Sequence, residues 1–193
     1  MYQYDVFISY QRSGKDVPSW VRNHFHPRLT EVLDNNFYRD VRVFYDDRIP
    51  TGANWPEQLR SALQRSRVLV PVCSPKYFKD EWCLAEWHSM AEREVLGQDS
   101  QESPPQLIYP VIFCDSWNFP DYANARRMRD LHKWNQPFEH FQTAPAYLDF
   151  NEQIGQIAKE LEELIERAPD WRDDWPVLTP APEPPKRARM PRF

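Results

Sequence analysis

The stretch WCLAEW places a carboxylate one helical turn away from an indole. Trp82 and Glu86 are four residues apart within residues 82–96, whose apolar pattern predicts a helix. At this spacing both side chains project from the same face, so the indole can form one wall of a cleft into which the carboxylate points. A carboxylate in such a dry cleft stabilises positive charge more strongly than one in water. The alternative is a solvated glutamate between core tryptophans, because glutamate is rarely buried.

Other pairs of reactive side chains are less well spaced for chemistry. Cys83 and His88 are five residues apart, which points them away from each other on a helix and disfavours a thiol nucleophile. His24 and His26 are two residues apart, which disfavours a metal pair, and both are expected at the surface of the first predicted helix. Trp87, about 100° further round the helix than the glutamate before it, is expected in the core.

Short β-branched and aromatic segments predict the strands that must position these side chains. Four are clear in the sequence: YDVFISY, VRVFYDD, RVLVPVCS and QLIYPVIF. A short fifth strand is predicted around AYLDF, residues 146–150. The third segment is apolar on both faces for most of its length, which is typical of a central parallel strand covered by helices on both sides.

Helical periodicity fills the stretches between the strands. Apolar residues recur at helical spacing over residues 18–33, 59–63, 82–96 and 151–167. Strands that alternate with helices at this pace need right-handed crossovers and a parallel sheet. The predicted fold class is therefore α/β, a flavodoxin-like, doubly wound, parallel five-stranded sheet with helices on both faces. Ligands of such sheets bind outside the carboxyl ends of the strands.

The composition limits the class of protein. A chain of 193 residues, 41% hydrophobic and 27% charged, has the size and apolar content of one globular domain. A net charge of −5, spread along the chain, does not favour nucleic acid or an acidic membrane surface as a partner. Cys73, Cys83 and Cys114 are too few and too widely spaced for a disulfide framework or a zinc site, which favours a reducing, cytoplasmic compartment.

The two ends of the chain differ in character. The start, MYQYDVFISY, lacks the features of a signal peptide, and no stretch approaches the roughly 20 apolar residues of a membrane span. Seven of the 19 prolines fall within residues 169–193. We therefore predict a domain over residues 1–168 and a proline-rich, flexible tail over residues 169–193, in which Trp171 and Trp175 can pack back on the domain. The basic run at residues 186–192 predicts a solvated end, with nucleic-acid contact as the minor alternative.

Four segments together resemble a TIR (Toll/interleukin-1 receptor/resistance) domain. In order they are YDVFISY with the polar loop after it, VFYDDRIPTGANW, SRVLVPVCSPKYFKDEWCLAEW and IYPVIF. The resemblance covers residues 4–167 and implies the fold predicted above. It does not settle the function, because this family contains adaptors that only bind other TIR domains as well as enzymes that hydrolyse NAD.

The resemblance extends to the feature that separates these two classes. Enzymatic members have a tryptophan, three residues and a glutamate in the helix after the third strand, and Trp82 and Glu86 occupy those positions here. This implies an NAD+ glycohydrolase that cleaves the nicotinamide–ribose bond and releases nicotinamide and ADP-ribose, linear or cyclic. Glu86 is then the catalytic residue, and Trp82 shapes the pocket. The alternative is a non-catalytic interaction adaptor.

One carboxylate suffices for this reaction. The departing pyridinium becomes neutral as it leaves, so no general acid is needed, in contrast to ordinary glycosidases with their two carboxyl groups. Positive oxocarbenium character develops at the anomeric carbon, and Glu86 can stabilise it and accept hydrogen bonds from the ribose hydroxyls.

The resemblance implies that the loop after the first strand contacts the nucleotide. Ser9 and Tyr10 close the strand, and Arg12 follows in the sequence QRSG, where its fork suits the pyrophosphate. An exposed loop arginine is the alternative. Gly14 lies in this loop and Gly52 in the next, and both are expected where the backbone needs a glycine.

The second loop is the other expected wall of the cleft. Asp46 is predicted to be a polar pocket residue, with loop solvation as the alternative. Trp55 is expected either to stack on a base or on nicotinamide, or to pack at the start of the helix. Asp46 and Asp47 also suggest the acids of a receiver domain, but they follow the wrong strand for one. No metal ligand is predicted. Because a glycine-rich dinucleotide fingerprint is missing, NAD+ is expected as a substrate and not as a cofactor.

The expected partners follow from the same resemblance. Activity is expected to depend on self-association with other TIR domains, with the loop from Asp46 to Trp55 placed against a neighbouring copy. A separate sensor or activator protein is expected, since the sequence contains no evident sensor domain, and no membrane is expected. A role in antiviral defence or signalling fits bacterial relatives.

Overall fold

A parallel five-stranded sheet forms the centre of the computed structural model, which describes residues 1–46, 55–97 and 104–180. Within these residues the strands are β1 (Tyr4–Tyr10), β2 (Val43–Phe44), β3 (Ser66–Cys73), β4 (Val111–Ile112) and β5 (Arg129–Asp130). Their order is β2-β1-β3-β4-β5, and every pair is parallel. This order confirms the predicted flavodoxin-like fold class.

β1 and β3 are the longest strands and lie side by side. Their register pairs Tyr4 with Ser66 and Tyr10 with Val72, so the two strands end together at the carboxyl edge of the sheet. β3 is buried along almost its whole length, as predicted for a central strand covered on both faces.

The prediction of a fifth strand at residues 146–150 is wrong. These residues are the first turns of a long helix, and Phe150 continues the apolar spacing of Ile154 and Ile157 in its buried face. The fifth strand is Arg129–Asp130, which carries no apolar signal. It forms because the backbone N–H of Arg129 donates to the carbonyl oxygen of Pro110, and that of Leu131 donates to Ile112. Such pairing depends on the neighbouring strand and not on local sequence.

Helices cover both faces of the sheet. They are α1 (Asp16–Trp20), α2 (His26–Asn36), α3 (Trp55–Gln64), α4 (Glu81–Gly97), α5 (Asp121–Asn124) and α6 (Ala146–Arg167), with a π-helical turn at Val21–Phe25 that joins α1 to α2. The helices predicted over residues 18–33, 59–63, 82–96 and 151–167 are confirmed. Short 3-10 turns lie at Tyr77–Lys79, His132–Trp134 and Glu139–Thr143.

Each face of the sheet has its own hydrophobic core. The first core packs α1, α2 and α6 against Val6, Ile8 and Tyr10 of β1. The second packs α3 and α4 against Phe7, the residue that points to the opposite face, and includes Trp87 as predicted. Because Glu86 is a residue of α4, it and its neighbours lie on the second face, at the carboxyl edge of the sheet.

The prediction that His24 and His26 are surface residues is wrong. Both are buried. His24 lies in the π-helical turn, where its Nε2 is 3.1 Å from the carbonyl oxygen of Phe138, and the His26 ring packs on Tyr45 with ring centroids 4.0 Å apart. Both rings are buried by partners that are distant in sequence, which the local pattern does not reveal.

Residues 169–180 pack against the domain. Trp175 is buried, and the N–H of Leu178 donates to Ser89 Oγ at 2.8 Å. Arg93, also buried, donates to the carbonyl oxygens of Leu63 and Pro176. The domain boundary at residue 168 stays a prediction, and residues 181–193 lie outside the described part of the chain. No helix within the described residues is long and apolar enough to span a membrane.

Candidate active site

The start of α4 sets the direction in which Glu86 points. Asp80 precedes the helix, and its Oδ1 accepts hydrogen bonds from the backbone N–H groups of Trp82 and Cys83 at 3.0 and 3.1 Å. Helix starts leave such N–H groups without intrahelical partners, and an aspartate at this position satisfies them. The capped first turn directs Glu86, one turn further on, toward the carboxyl end of β1.

Glu86 is buried, with 2% of its surface exposed. Ser9, at the end of β1, donates from Oγ to Glu86 Oε2 at 2.5 Å. Arg12, in the loop after β1, donates from Nη2 to Oε1 at 3.4 Å. The solvated alternative for Glu86 is therefore wrong, and the carboxylate is closed in by protein groups and not open to a cleft.

Arg12 links Glu86 to a second carboxylate. Its Nε donates to Asp46 Oδ2, so the guanidinium lies between an acid of α4 and an acid that follows β2. The alternative of an exposed loop arginine is thus wrong in this structure. Burial lowers the pKa of Arg12, but the charges of Glu86 and Asp46 raise it, and it ends above its ordinary value. Asp46 Oδ1 is buried and has no hydrogen-bond partner among the described residues.

Tyr77 is a member of this cluster that the sequence analysis missed. Its hydroxyl lies 2.8 Å from Ser9 Oγ and 3.3 Å from the carbonyl oxygen of Cys83. The side chain is fully buried. No spacing signal identifies it, because it lies in a separate 3-10 turn and reaches Ser9 only through the folded sheet.

The pKa of Glu86 is raised to about 7. Burial is the main cause, because a charged carboxylate loses its water there. The positive charge of Arg12 and the hydrogen bond from Ser9 lower the pKa, and the negative charge of Asp46 raises it. The carboxylate therefore titrates near neutral pH, which is typical of functional acids.

Not every predicted contact residue joins this cluster. Tyr10 packs in the core on the opposite face of the sheet. Trp82 is half-buried and packs against the core of the second face. The side chain of Trp55, together with Asp47 and Gly52, lies outside the described residues. The predicted substrate contacts of these residues stay predictions.

Gly14 and the surrounding space complete the geometry of the site. Gly14 has φ +125°, which favours glycine, so its predicted backbone role is confirmed.

A groove of about 700 Å³ exists elsewhere, between β5 and α6 near Tyr109 and Arg129. This groove does not include Glu86, which is covered by protein groups and only 2% exposed. Among the described residues, no group of three or more His, Cys, Asp or Glu side chains is placed to hold a metal ion.

The fold and this buried carboxylate define a flavodoxin-like α/β domain with a candidate site at the carboxyl edge of its central strands. The sequence model of the family described as "TIR domain" matches residues 6–144. The chain therefore belongs to the TIR domain family.

Several relatives carry names that bear on function. NAD(+) hydrolase TcpA of a Theionarchaea archaeon is 28% identical over 111 residues, which are 57% of this chain and 29% of that protein. The probable 2' cyclic ADP-D-ribose synthase BdTIR of Brachypodium distachyon is 26% identical over 116 residues, 59% of this chain and 48% of that protein. Disease resistance protein RUN1 of Vitis rotundifolia is 29% identical over 110 residues, 57% of this chain and 7% of that protein. This chain thus matches less than half of the length of each of these relatives.

Proposed function

We propose that this protein is an NAD+ glycohydrolase in which Glu86 is the catalytic residue. The observation that carries the proposal is the buried carboxylate of Glu86, at the carboxyl edge of β1 and β3, whose pKa is raised to about 7. The names of TcpA and BdTIR support cleavage of NAD, since both belong to relatives of this chain. The products are nicotinamide and ADP-ribose, linear or cyclic.

The mechanism needs one ionised carboxylate. Nicotinamide leaves as a neutral molecule, so proton donation is unnecessary, and the carboxylate of Glu86 stabilises the positive charge that develops on the ribose. Ser9 orients that carboxylate from the side of β1. NAD+ is bound as a substrate, with Trp82 forming a wall of the nicotinamide–ribose pocket.

Arg12 must change partners for the substrate to bind. In this structure it lies against Glu86 and Asp46, and the diphosphate of NAD+ offers it a bidentate acceptor of higher charge. Transfer of Arg12 to the diphosphate uncovers Glu86 and leaves Asp46 free to accept a hydrogen bond from the substrate. Tyr10 and Trp55 are further proposed contacts, with the indole of Trp55 stacking on a ring of the nucleotide.

We further propose that self-association with other TIR domains activates the protein in the cytoplasm. The closed Glu86 site supports this, because a carboxylate with 2% exposure needs a rearrangement before substrate can reach it. A separate sensor or activator protein supplies the signal, and antiviral defence or signalling is the setting that we propose.

Chromatographic detection of nicotinamide release tests the proposal. The wild type is assayed across protein concentrations and after clustering on a multivalent support, beside Glu86→Gln, which keeps the size of the side chain. Glu92→Gln is the matched control, because Glu92 is an exposed glutamate of the same helix. We expect release by the wild type and the control and a loss of at least roughly 100-fold in Glu86→Gln. Equal activity in all three proteins would show that Glu86 is the wrong residue.

A second candidate function is a non-catalytic adaptor that binds other TIR domains. The closed state of Glu86 also favours this function, since a structural ion pair has no need to open. A wild type that releases no nicotinamide at any concentration or after clustering, yet still self-associates, would support the adaptor.

A further inference from the structure

We propose that Tyr77 is a positioning residue for Glu86, and that its hydroxyl acts through Ser9 to hold the carboxylate ionised. This inference rests on the proposed function for its catalytic consequence, but its physical content can be measured without turnover. It assigns a role to the phenol hydroxyl and not to the aromatic ring.

Proton counting gives the hydrogen-bond chain its direction. Ser9 has one hydroxyl proton, and this proton is donated to Glu86 Oε2 at 2.5 Å. The contact of 2.8 Å between Ser9 Oγ and the Tyr77 hydroxyl therefore requires the phenol to be the donor. In this state the single phenol proton faces Ser9 and not the more distant carbonyl oxygen of Cys83. The chain runs from Tyr77 through Ser9 to the carboxylate, and each bond in such a chain polarises the next.

The same chain runs the other way when Glu86 is protonated. The carboxyl proton then faces Ser9, Ser9 donates to Tyr77, and Tyr77 donates to the carbonyl oxygen of Cys83 at 3.3 Å. Hydrogen bonds to a charged acceptor are stronger than those between neutral groups. The chain therefore stabilises the carboxylate more than the acid, which opposes the effect of burial on Glu86.

Packing alone does not account for a tyrosine at this position. The ring of Tyr77 makes edge contacts with Phe78 and Trp87, with centroids 5.2 and 6.4 Å apart, and a phenylalanine would make the same contacts. The hydroxyl is the added feature, and a buried hydroxyl needs partners. Those partners are Ser9 and the carbonyl of Cys83, so the hydroxyl reaches the Glu86 carboxylate through one intervening atom.

Among the described residues, the titratable groups that face Glu86 come from three places. Arg12 approaches from the loop after β1, Asp46 from the end of β2, and Cys83 and Tyr77 from α4 and the turn before it. Burial raises the pKa of the Cys83 thiol and the Tyr77 phenol well above their ordinary values. Both therefore stay neutral at the pH where Glu86 titrates, and a change in the Glu86 midpoint on removal of one hydroxyl reports that hydrogen bond.

The test combines a carboxyl titration with a pH profile of nicotinamide release. Protein labelled with ¹³C-glutamate is titrated by NMR, and Glu86→Gln identifies the resonance. The variants are Tyr77→Phe, Ser9→Ala and the double variant, with Tyr109→Phe as the control. Tyr109 is a matched control because its hydroxyl hydrogen-bonds to Glu160 and Arg129, at a different site.

We expect Tyr77→Phe to raise the Glu86 midpoint by roughly 0.5 to 1 pH unit, and Ser9→Ala to raise it at least as far. The double variant should match Ser9→Ala, because Tyr77 acts only through Ser9. The acid limb of nicotinamide release should move by the same amount. Activity of Tyr77→Phe is then roughly 3- to 10-fold lower below the midpoint and unchanged at about pH 9. Tyr109→Phe should change neither measurement.

Three outcomes separate the possibilities. An unmoved Glu86 midpoint in Tyr77→Phe overturns the proposed role, and an equal loss of activity at every pH then identifies Tyr77 as a structural residue. A further midpoint shift in the double variant overturns action through Ser9. A wild type without activity overturns the proposed function alone, since the carboxyl titration still decides whether Tyr77 holds Glu86 ionised.

Discussion

Arg12 lies between Glu86 and Asp46 and is held more closely by Asp46. Its Nη2 is 3.4 Å from Glu86 Oε1, whereas its Nε makes a direct hydrogen bond to Asp46 Oδ2. Because the guanidinium is shared, its attraction only partly offsets the burial of Glu86, whose pKa stays raised at about 7. The ion pair that closes the site therefore also lowers the pKa of the proposed catalytic group, against the larger effect of burial.

Removal of the Asp46 charge should make Glu86 a stronger acid. In Asp46→Asn a negative neighbour of Glu86 is lost, and Glu86 remains of the two carboxylates that bind Arg12 among the described residues. We expect the Glu86 midpoint to fall by roughly 0.5 to 1 unit below that of the wild type, measured by ¹³C NMR. Asp149→Asn, an exposed aspartate of α6, is the matched control. A midpoint that rises in Asp46→Asn would contradict the shared-guanidinium interpretation.

Glu86→Gln should become more stable relative to the wild type as the pH rises. The folded state raises the pKa of Glu86 from 4.5 to about 7, so it binds this proton more tightly than the unfolded state does. The contribution to stability is fully present below pH 4.5 and is lost as the pH rises toward 7. Glutamine does not titrate, so the free energy of unfolding of Glu86→Gln minus that of the wild type should grow by about 3 kcal/mol across this window and then stay level.

Urea unfolding of both proteins between about pH 4.5 and 8 checks this prediction. Titration of groups that do not interact with Glu86 cancels in the difference, and Glu92→Gln, at an exposed position of the same helix, should show a flat difference. A flat difference for Glu86→Gln would mean that the carboxyl is not desolvated in solution.

Two glycine-to-alanine changes should have opposite effects on stability. A Cβ at Gly97, the last residue of α4, would lie 2.7 Å from Cγ of the rigid Pro105 ring, so Gly97→Ala should destabilise by roughly 1–3 kcal/mol. Gly155 lies within α6, and an added Cβ there would meet no packing neighbour within 4 Å among the described residues. Gly155→Ala should therefore stabilise by about 0.5–1 kcal/mol. Thermal or urea unfolding measures both, and equal signs would contradict the packing described at Pro105.

Arg93 should hold residues 169–180 on the domain. It is buried, burial lowers its pKa to about 10, and it donates to carbonyl oxygens that include that of Pro176. Arg93→Met should lower the free energy of unfolding by roughly 2–4 kcal/mol and speed hydrogen exchange at the Leu178 amide, which hydrogen-bonds to Ser89. Arg60→Met, at an exposed position of α3, is the control. Unchanged exchange at Leu178 would show that the segment is held by other contacts.

The parts of the fold that could be predicted are those whose secondary structure is decided by their own residues. The apolar runs of β1 and β3 and the helical spacing in α4 are strong local signals, and they led directly to the carboxyl edge of the central strands. β5 could not be predicted, because its two polar residues become a strand only through pairing with β4. The burial of His24 likewise could not be predicted, because its ring contacts the carbonyl oxygen of Phe138, 114 residues further along the chain.

The sequence by itself determined the class of site, and tertiary structure decided its chemistry. Trp82 and Glu86 are four positions apart on one predicted helix, so the sequence alone was enough to identify the candidate carboxylate. The hydrogen bond of Glu86 to Ser9 and the contact of Tyr77 with Ser9 each join residues that are 68 or more positions apart in the sequence. A pKa depends on which groups surround the carboxylate, and only the packing of α4 against β1 brings those groups together.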